Sequence, residues 1–220
     1  MTEIYAVPDP DGAAGSTRVP RAPVRTDDIV AAAAKLFAHA GYHDVGMRAV
    51  ADAVGIRGAS LYHHYSSKED ILYAIALSVT REPVEHHLPL LDAPGTPSER
   101  LAMLIRAHLE HLSRRRVEHL VGLQEMNALT PAHRAEVDEY RRQYQRRVRD
   151  VVAAGVHSGE FEIADVHLAS LAMLDMLNGI SRWFSPGGHL TVDQLGDQYV
   201  ELIVNGLLGA ARAKQRPAGP

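Results

Sequence analysis

Two short apolar segments, residues 47–54 and residues 57–64, stand almost back to back with only Gly55 and Ile56 between them. Each spans about two helical turns, too little to hold a helix in isolation, so the pair has to be stabilised by packing. Val50 and Val54 lie one turn apart on the first segment, and Leu61 provides the apolar contact on the second. Gly55 accepts the left-handed backbone that a sharp turn between helices requires. Such a unit is a helix-turn-helix, and its second helix is left free to enter a DNA major groove.

Helical spacing continues on both sides. Thr26 has the character of an N-cap, Asp27 and Asp28 suit the positive end of a helix, and Ile29, Ala32, Ala33, Leu36, Phe37 and Ala40 recur at helical intervals until Gly41. A fourth helix starts at Ser66 or Ser67, because Ser66 with Glu69 and Ser67 with Asp70 both have capping-box form, and it runs toward Val79. Pro83, Pro89, Pro94 and Pro97 predict a bent or broken stretch after it. Further helices are predicted over residues 101–115, 117–129, 131–155 (extending to 159 at most), 165–184 and 192–211, with Pro131 at a helix start where proline is tolerated. No alternating strand pattern of useful length occurs. The chain is therefore expected to be all-α, with an N-terminal three-helix helix-turn-helix domain and a larger helical domain.

Composition excludes several classes. The chain has no cysteine, which removes disulfide frameworks, thiol catalysis and cysteine-ligated zinc. No run approaches the length of a membrane span, and the first residues carry Asp9 and Asp11 rather than a secretory apolar core, so a cytoplasmic protein is expected. The formal net charge is -4. Even between residues 18 and 70, seven cations meet six anions. A grip on DNA must come from where individual donors point, and from two copies acting together.

The residues that fill the frame resemble the DNA-binding domain of the TetR family of transcriptional repressors. The resemblance rests on Ala49-Val50-Ala51-Asp52-Ala53-Val54-Gly55-Ile56, on Ser60-Leu61-Tyr62-His63-His64-Tyr65, and on Ser67-Lys68-Glu69-Asp70-Ile71-Leu72. It covers residues 26–72 strongly, and the remainder in length and helix count. Gly46 departs from the Ser or Thr usual at that cap, at small cost. The resemblance implies a homodimer that binds double-stranded operator DNA and is released by a small-molecule effector. It implies phosphate contacts from Tyr62, His64 and Lys68, and base-edge contacts from Arg48, Arg57, Gly58, Ala59 and Ser60. The expected organisation is a flexible arm (1–23), a DNA-binding domain (24–72), a ligand-binding and dimerisation domain (73–213) and a flexible tail (214–220). Arg18, Arg21 and Arg25 lie where an arm could reach a minor groove.

In the C-terminal half, Leu195, Tyr199, Leu202, Ile203, Gly206 and Leu207 form one apolar stripe, and Leu168, Leu171, Ala172 and Ile180 a second. Two such helices from each subunit would make the intermolecular four-helix bundle that the family implies. An effector pocket is expected among the helices near 101–115, 117–129, 131–155 and 165–184. Met103, Met126, Met173 and Met176 are candidate apolar lining. Candidate polar contacts are His108, His119, Gln124, Asn127, Tyr144, Asp175 and Asn178. The segment from Ser181 to Gly188, with Arg182 and Trp183, and the later Gln198-Tyr199 resemble the TetR subgroup that senses CoA thioesters, so an acyl-CoA or other apolar metabolite is the expected effector. Leu174 and Asn178 depart from that subgroup. The arginines 141, 142, 146, 147 and 149 form a basic segment that suits either a solvated face or phosphate binding.

Thirteen histidines raise the question of metal catalysis. His108 and His111 share a helix face, but no His-Glu-x-x-His occurs, and Gly58-Ala59-Ser60 fails as a nucleophile elbow at Tyr62. Neither a cofactor nor a bound metal is expected. The remaining rival is a DNA-binding activator or architectural protein without a small-molecule switch.

Overall fold

Most helix starts in this chain are fixed by a side chain that takes up an otherwise unpaired backbone N–H. Ser67, Thr96, Thr130, Asp165 and Thr191 each accept a hydrogen bond from the amide three residues on. The computed structural model describes residues 24–209. Among them the chain forms nine α-helices and no strand: α1 (Thr26–Ala40), α2 (Met47–Val54), α3 (Gly58–His64), α4 (Lys68–His86), α5 (Pro97–Arg114), α6 (Arg116–Gln124), α7 (Pro131–His157), α8 (Val166–Trp183) and α9 (Val192–Val200). Short 3₁₀ turns cover Leu88–Asp92 and Met126–Ala128, and α9 continues as a π-helix over Glu201–Leu207. The arm with Arg18 and Arg21, and the tail, lie outside the described residues.

Three local expectations change. The cap of α1 is Arg25, whose N–H donates to the Asp28 carboxylate at 2.9 Å, and Thr26 is the first helical residue. Pro83 does not end α4, which runs on to His86 with Pro83 buried on its inner face. The last helix changes type after Val200 instead of continuing as one α-helix.

The interior forms two clusters. Phe37, Val50, Leu61, Ile71 and Ile75 are the centre of the first, and Val121, Met126, Leu129 and Val137 from α6, the following turn and α7 complete it. The second joins α5, α7, α8 and α9 through Leu104, Ile105, Val148, Met173, Leu177 and Ile203. α4 and α6 meet at Gly122, where an added Cβ would stand 3.2 Å from Ala76 Cα. α7 ends in a tight reversal in which the Phe161 ring covers Gly155.

The two apolar stripes divide between roles. Leu195, Tyr199, Ile203 and Ile180 are buried inside the subunit, whereas Leu168 is 64% exposed and Leu202 56% exposed. Only part of each stripe is therefore offered outward. α8 packs on α5 and α7, and α9 packs on α5.

Candidate functional site

The helix-turn-helix is built as its sequence dictates. Gly55 has φ 72°, and the Gly55 and Ile56 amides close the turn onto the Asp52 and Ala51 carbonyls at 3.1 and 3.0 Å. In α3, Leu61 alone is buried. One anchor fixes the helix to the core and leaves the rest of its surface outward. Arg48, Arg57, Gly58, Ala59, Ser60, His63 and His64 are exposed, and Tyr62 is 57% exposed, unusual for a large aromatic side chain. Arg57 caps α3 with extended backbone, so its side chain leaves from the helix N-terminus.

Lys68 differs from its neighbours. Its Nζ donates to the carbonyls of Tyr42 and His43 at 2.7 and 3.1 Å and lies 4.4 Å from the centre of the Tyr42 ring. Two of the three ammonium donors thus brace the α1–α2 turn. The brace was invisible in the sequence because its partners are backbone carbonyls about 25 residues away.

Beside it, α4 is locked to α7. Glu69 accepts from the Thr130 amide at 2.7 Å and from His133 Nδ1 at 2.9 Å, and the His133 ring stacks on Tyr73 with centroids 3.8 Å apart. Asp70 accepts from Ser66 and Ser67 hydroxyls, which hold its carboxyl below its ordinary range. Among the described residues only Glu69, Asp70 and His133 group closely enough to hold a metal. Their donor atoms are already committed to this joint and to the α4 cap.

A cavity of about 280 Å³ opens between α4, α5, α6, α7 and α8. Val79, Thr80 and Pro83 form its α4 wall. The other helices each present one face: His108, His111 and Leu112 from α5; His119, Gly122, Leu123 and Met126 from α6 and the turn that follows; Asp138, Arg141, Arg142, Tyr144 and Gln145 from α7; and Leu171, Leu174, Asp175 and Asn178 from α8. Of the expected pocket residues, His108, His119, Met126, Tyr144, Asp175 and Asn178 come together here. Met103, Gln124, Asn127, Arg182 and Trp183 do not. Met103 and Gln124 sit on other faces of α5 and α6, and Asn127 accepts instead from Arg134 at 2.6 Å. Arg182 and Trp183 are exposed at the end of α8, about one turn past Asn178. Met173 is fully buried in the core and Met176 packs against it.

The lining mixes apolar side chains with neutral polar ones on its inner side, and its charged residues are Asp138, Arg141, Arg142 and Asp175. His108 Nδ1 lies 3.0 Å from the Tyr144 hydroxyl, and Nε2 lies 3.3 Å from Asn178 Oδ1. Because an amide oxygen only accepts, Nε2–H is the donor there and Nδ1 accepts from Tyr144. Burial is the main cause that pushes His87, His111 and His119 down to about 4 and His108 well below its ordinary value. Burial likewise pushes the Tyr144 hydroxyl up. At neutral pH all four imidazoles are therefore uncharged. His111 was not among the expected pocket residues, since a histidine at helical spacing carries no mark that separates a cavity face from a solvent face. Arg141 and Arg142 lie at the exposed rim, paired with Asp138 at 3.4 Å and Glu139 at 2.8 Å.

Comparison with known proteins agrees with this geometry. Residues 29–75 match the model of the bacterial regulatory proteins of the tetR family, and residues 94–207 match a tetracyclin repressor-like C-terminal domain. The HTH-type transcriptional repressor KstR2 of Mycolicibacterium smegmatis is 30% identical over 185 residues, which span 83% of this chain and 90% of the relative. Among solved structures, the TetR-family regulator PfmR of Thermus thermophilus is 34% identical with TM-score 0.75, covering 81% of this chain and 98% of that one. AibR in complex with isovaleryl coenzyme A and operator DNA is 28% identical with TM-score 0.73, covering 82% and 98%. With an outward α3 held by a single buried leucine, and with both halves matched, the chain belongs to the TetR family: it is a DNA-binding transcriptional regulator and not an enzyme.

Proposed function

We propose that the protein is a cytoplasmic, homodimeric repressor that leaves its operator when a CoA thioester of a small or lipid-derived acyl group enters the cavity. One observation carries this reading: α4 belongs to both ends of the switch. Its first turns put Ile71 and Leu72 in the core that seats α3, and its last turns put Val79, Thr80 and Pro83 in the cavity wall. A ligand that prefers one tilt of α4 changes the separation of the two recognition helices. The AibR neighbour, solved with both isovaleryl coenzyme A and operator DNA, supports the effector class. The outward Leu168 and Leu202 supply the contact with a second copy.

Fluorescence anisotropy of a labelled operator tests the switch. Saturating isovaleryl-CoA or octanoyl-CoA is expected to lower the bound fraction, while free CoA leaves it unchanged. Undiminished binding with every thioester would remove the effector reading and leave a DNA-binding regulator without this switch.

On the DNA side, Arg57, Arg48 and Ser60 read bases, with Gly58 and Ala59 allowing close approach, while Tyr62, His64 and Lys68 hold phosphates. Arg57→Ala is expected to cost about 1–3 kcal/mol on the operator and little on random DNA. Equal losses on both would move Arg57 to the phosphate set. Lys68→Ala is expected to weaken both DNAs alike and lower the salt slope by about one. It should also lower the melting temperature, because the Tyr42 and His43 carbonyls lose their donor. A lower melting point with the salt slope intact would leave Lys68 as a brace alone.

A further inference from the structure

The inner wall of the cavity holds polar atoms that the fold does not use. His111 is 1% exposed and faces the cavity, and neither of its ring nitrogens has a hydrogen-bond partner. The nearest carboxylate, on Glu82, stands 3.6 Å from Nδ1, outside hydrogen-bond reach. His119 lines the same space, is 6% exposed, and has an unpartnered Nδ1. Its neighbour Asn178 is shared with His108. Buried nitrogens without partners oppose folding, and a phenylalanine or leucine would line an apolar pocket without that penalty. These positions make chemical sense when a ligand supplies the missing partners.

The kind of partner follows from charge. A neutral imidazole offers one N–H donor and one acceptor, which suits a carbonyl or hydroxyl oxygen. It does not suit a buried carboxylate or phosphate, which would need a cation beside it. The charged residues of the lining stand toward solvent instead: Arg141, Arg142 and Asp175 are exposed, and Asp138 is half-buried and paired with Arg141. Anionic groups are therefore held outside, and uncharged oxygen is held within.

We propose that the effector is an acyl compound whose buried end carries an uncharged oxygen function, a ketone or a hydroxyl, received by His111 and His119 while its anionic end remains at Arg141 and Arg142. This inference rests on the cavity being the effector site. A saturated acyl group would fill the same volume and leave both imidazoles unpaired, so the site discriminates against it.

Isothermal titration of the full chain with octanoyl-CoA and 7-oxooctanoyl-CoA, alongside octanoate and 7-oxooctanoate, tests the proposal. The oxo thioester is expected to bind at least about tenfold more tightly than the saturated one. In His111→Phe that preference should fall to about twofold or less. Equal affinity of the two thioesters for the wild type would overturn the histidine subsite and leave the thioester reading standing. Binding of 7-oxooctanoate without either thioester would do the reverse. Absence of binding by all four would overturn both. Should His111→Phe fail to fold, the two thioesters on the wild type decide the matter alone.

Discussion

Lowering the pH from about 6.5 to about 4 is expected to unfold this protein far more readily than titration of its surface would. His87, His111 and His119 are pushed down to about 4, and His108 lies well below its ordinary value of 6.5. Burial is the largest cause in each case. The neighbouring charge on Arg114 and Arg115 adds to it at His111, and Glu82 opposes it at His87. In this window the unfolded chain takes up protons that the folded chain refuses, so stability falls as pH falls. Above about 6.5 both states carry neutral imidazoles and the contribution is flat. Each linked proton steepens the dependence by up to about 1.4 kcal/mol per pH unit. Urea midpoints at constant ionic strength, from pH 7.5 down to 4.5, give the slope. His111→Phe should make it shallower by roughly one proton, and an unchanged slope would show that His111 does not titrate with unfolding.

The second large effect concerns Gly155. A Cβ built there would stand 2.1 and 2.2 Å from two carbon atoms of the Phe161 ring, far inside van der Waals contact. The ring cannot swing away cheaply, because Phe161 is 3% exposed and belongs to the larger core. The Gly155 carbonyl also accepts the Glu160 and Phe161 amides at 2.8 and 3.0 Å, which fixes the reversal. Gly155→Ala is expected to cost about 2–4 kcal/mol, the range of overpacking joined to partial loss of an aromatic side chain. Gly179→Ala, inside α8, whose added Cβ would meet nothing within 4 Å, is the control and should not lower the melting point. A Gly155→Ala variant as stable as that control would show that the α7 reversal can re-form elsewhere.

The parts of the fold that were legible in the sequence are those set by neighbours along the chain. The bounds of α2, the left-handed Gly55 and the Ser67 cap follow from local steric and hydrogen-bonding rules, and the structure has them where those rules place them. The continuation of α4 through Pro83 was not legible. Proline removes one helical bond, but Pro83 is buried against the rest of the molecule, and packing offsets the loss. The cavity was half legible for a related reason. Periodicity groups residues by face, and once His108 is placed, Tyr144 and Asn178 follow as its partners. Which face of a helix meets empty space depends on tilt, and tilt is decided by contacts between residues far apart in the chain. Met103 and Gln124 therefore fell on the wrong side of their helices, and the second of these also ends at Gln124, short of the expected residue 129, with a 3₁₀ turn after it. The outward position of Leu168 and Leu202, set against the buried Leu195 and Ile203, has the same origin.

The completion of the N-terminal core by Val121, Met126, Leu129 and Val137 bears on engineering. Residues 24–72 are not an interchangeable cartridge. Grafted onto the sensor of another regulator, they would present the seat of Ile71 and Leu72 to a foreign surface. A working chimera has to import the matching stretch of residues 117–137 as well, so operator choice and metabolite choice are harder to recombine in this protein than two separate sequence matches suggest.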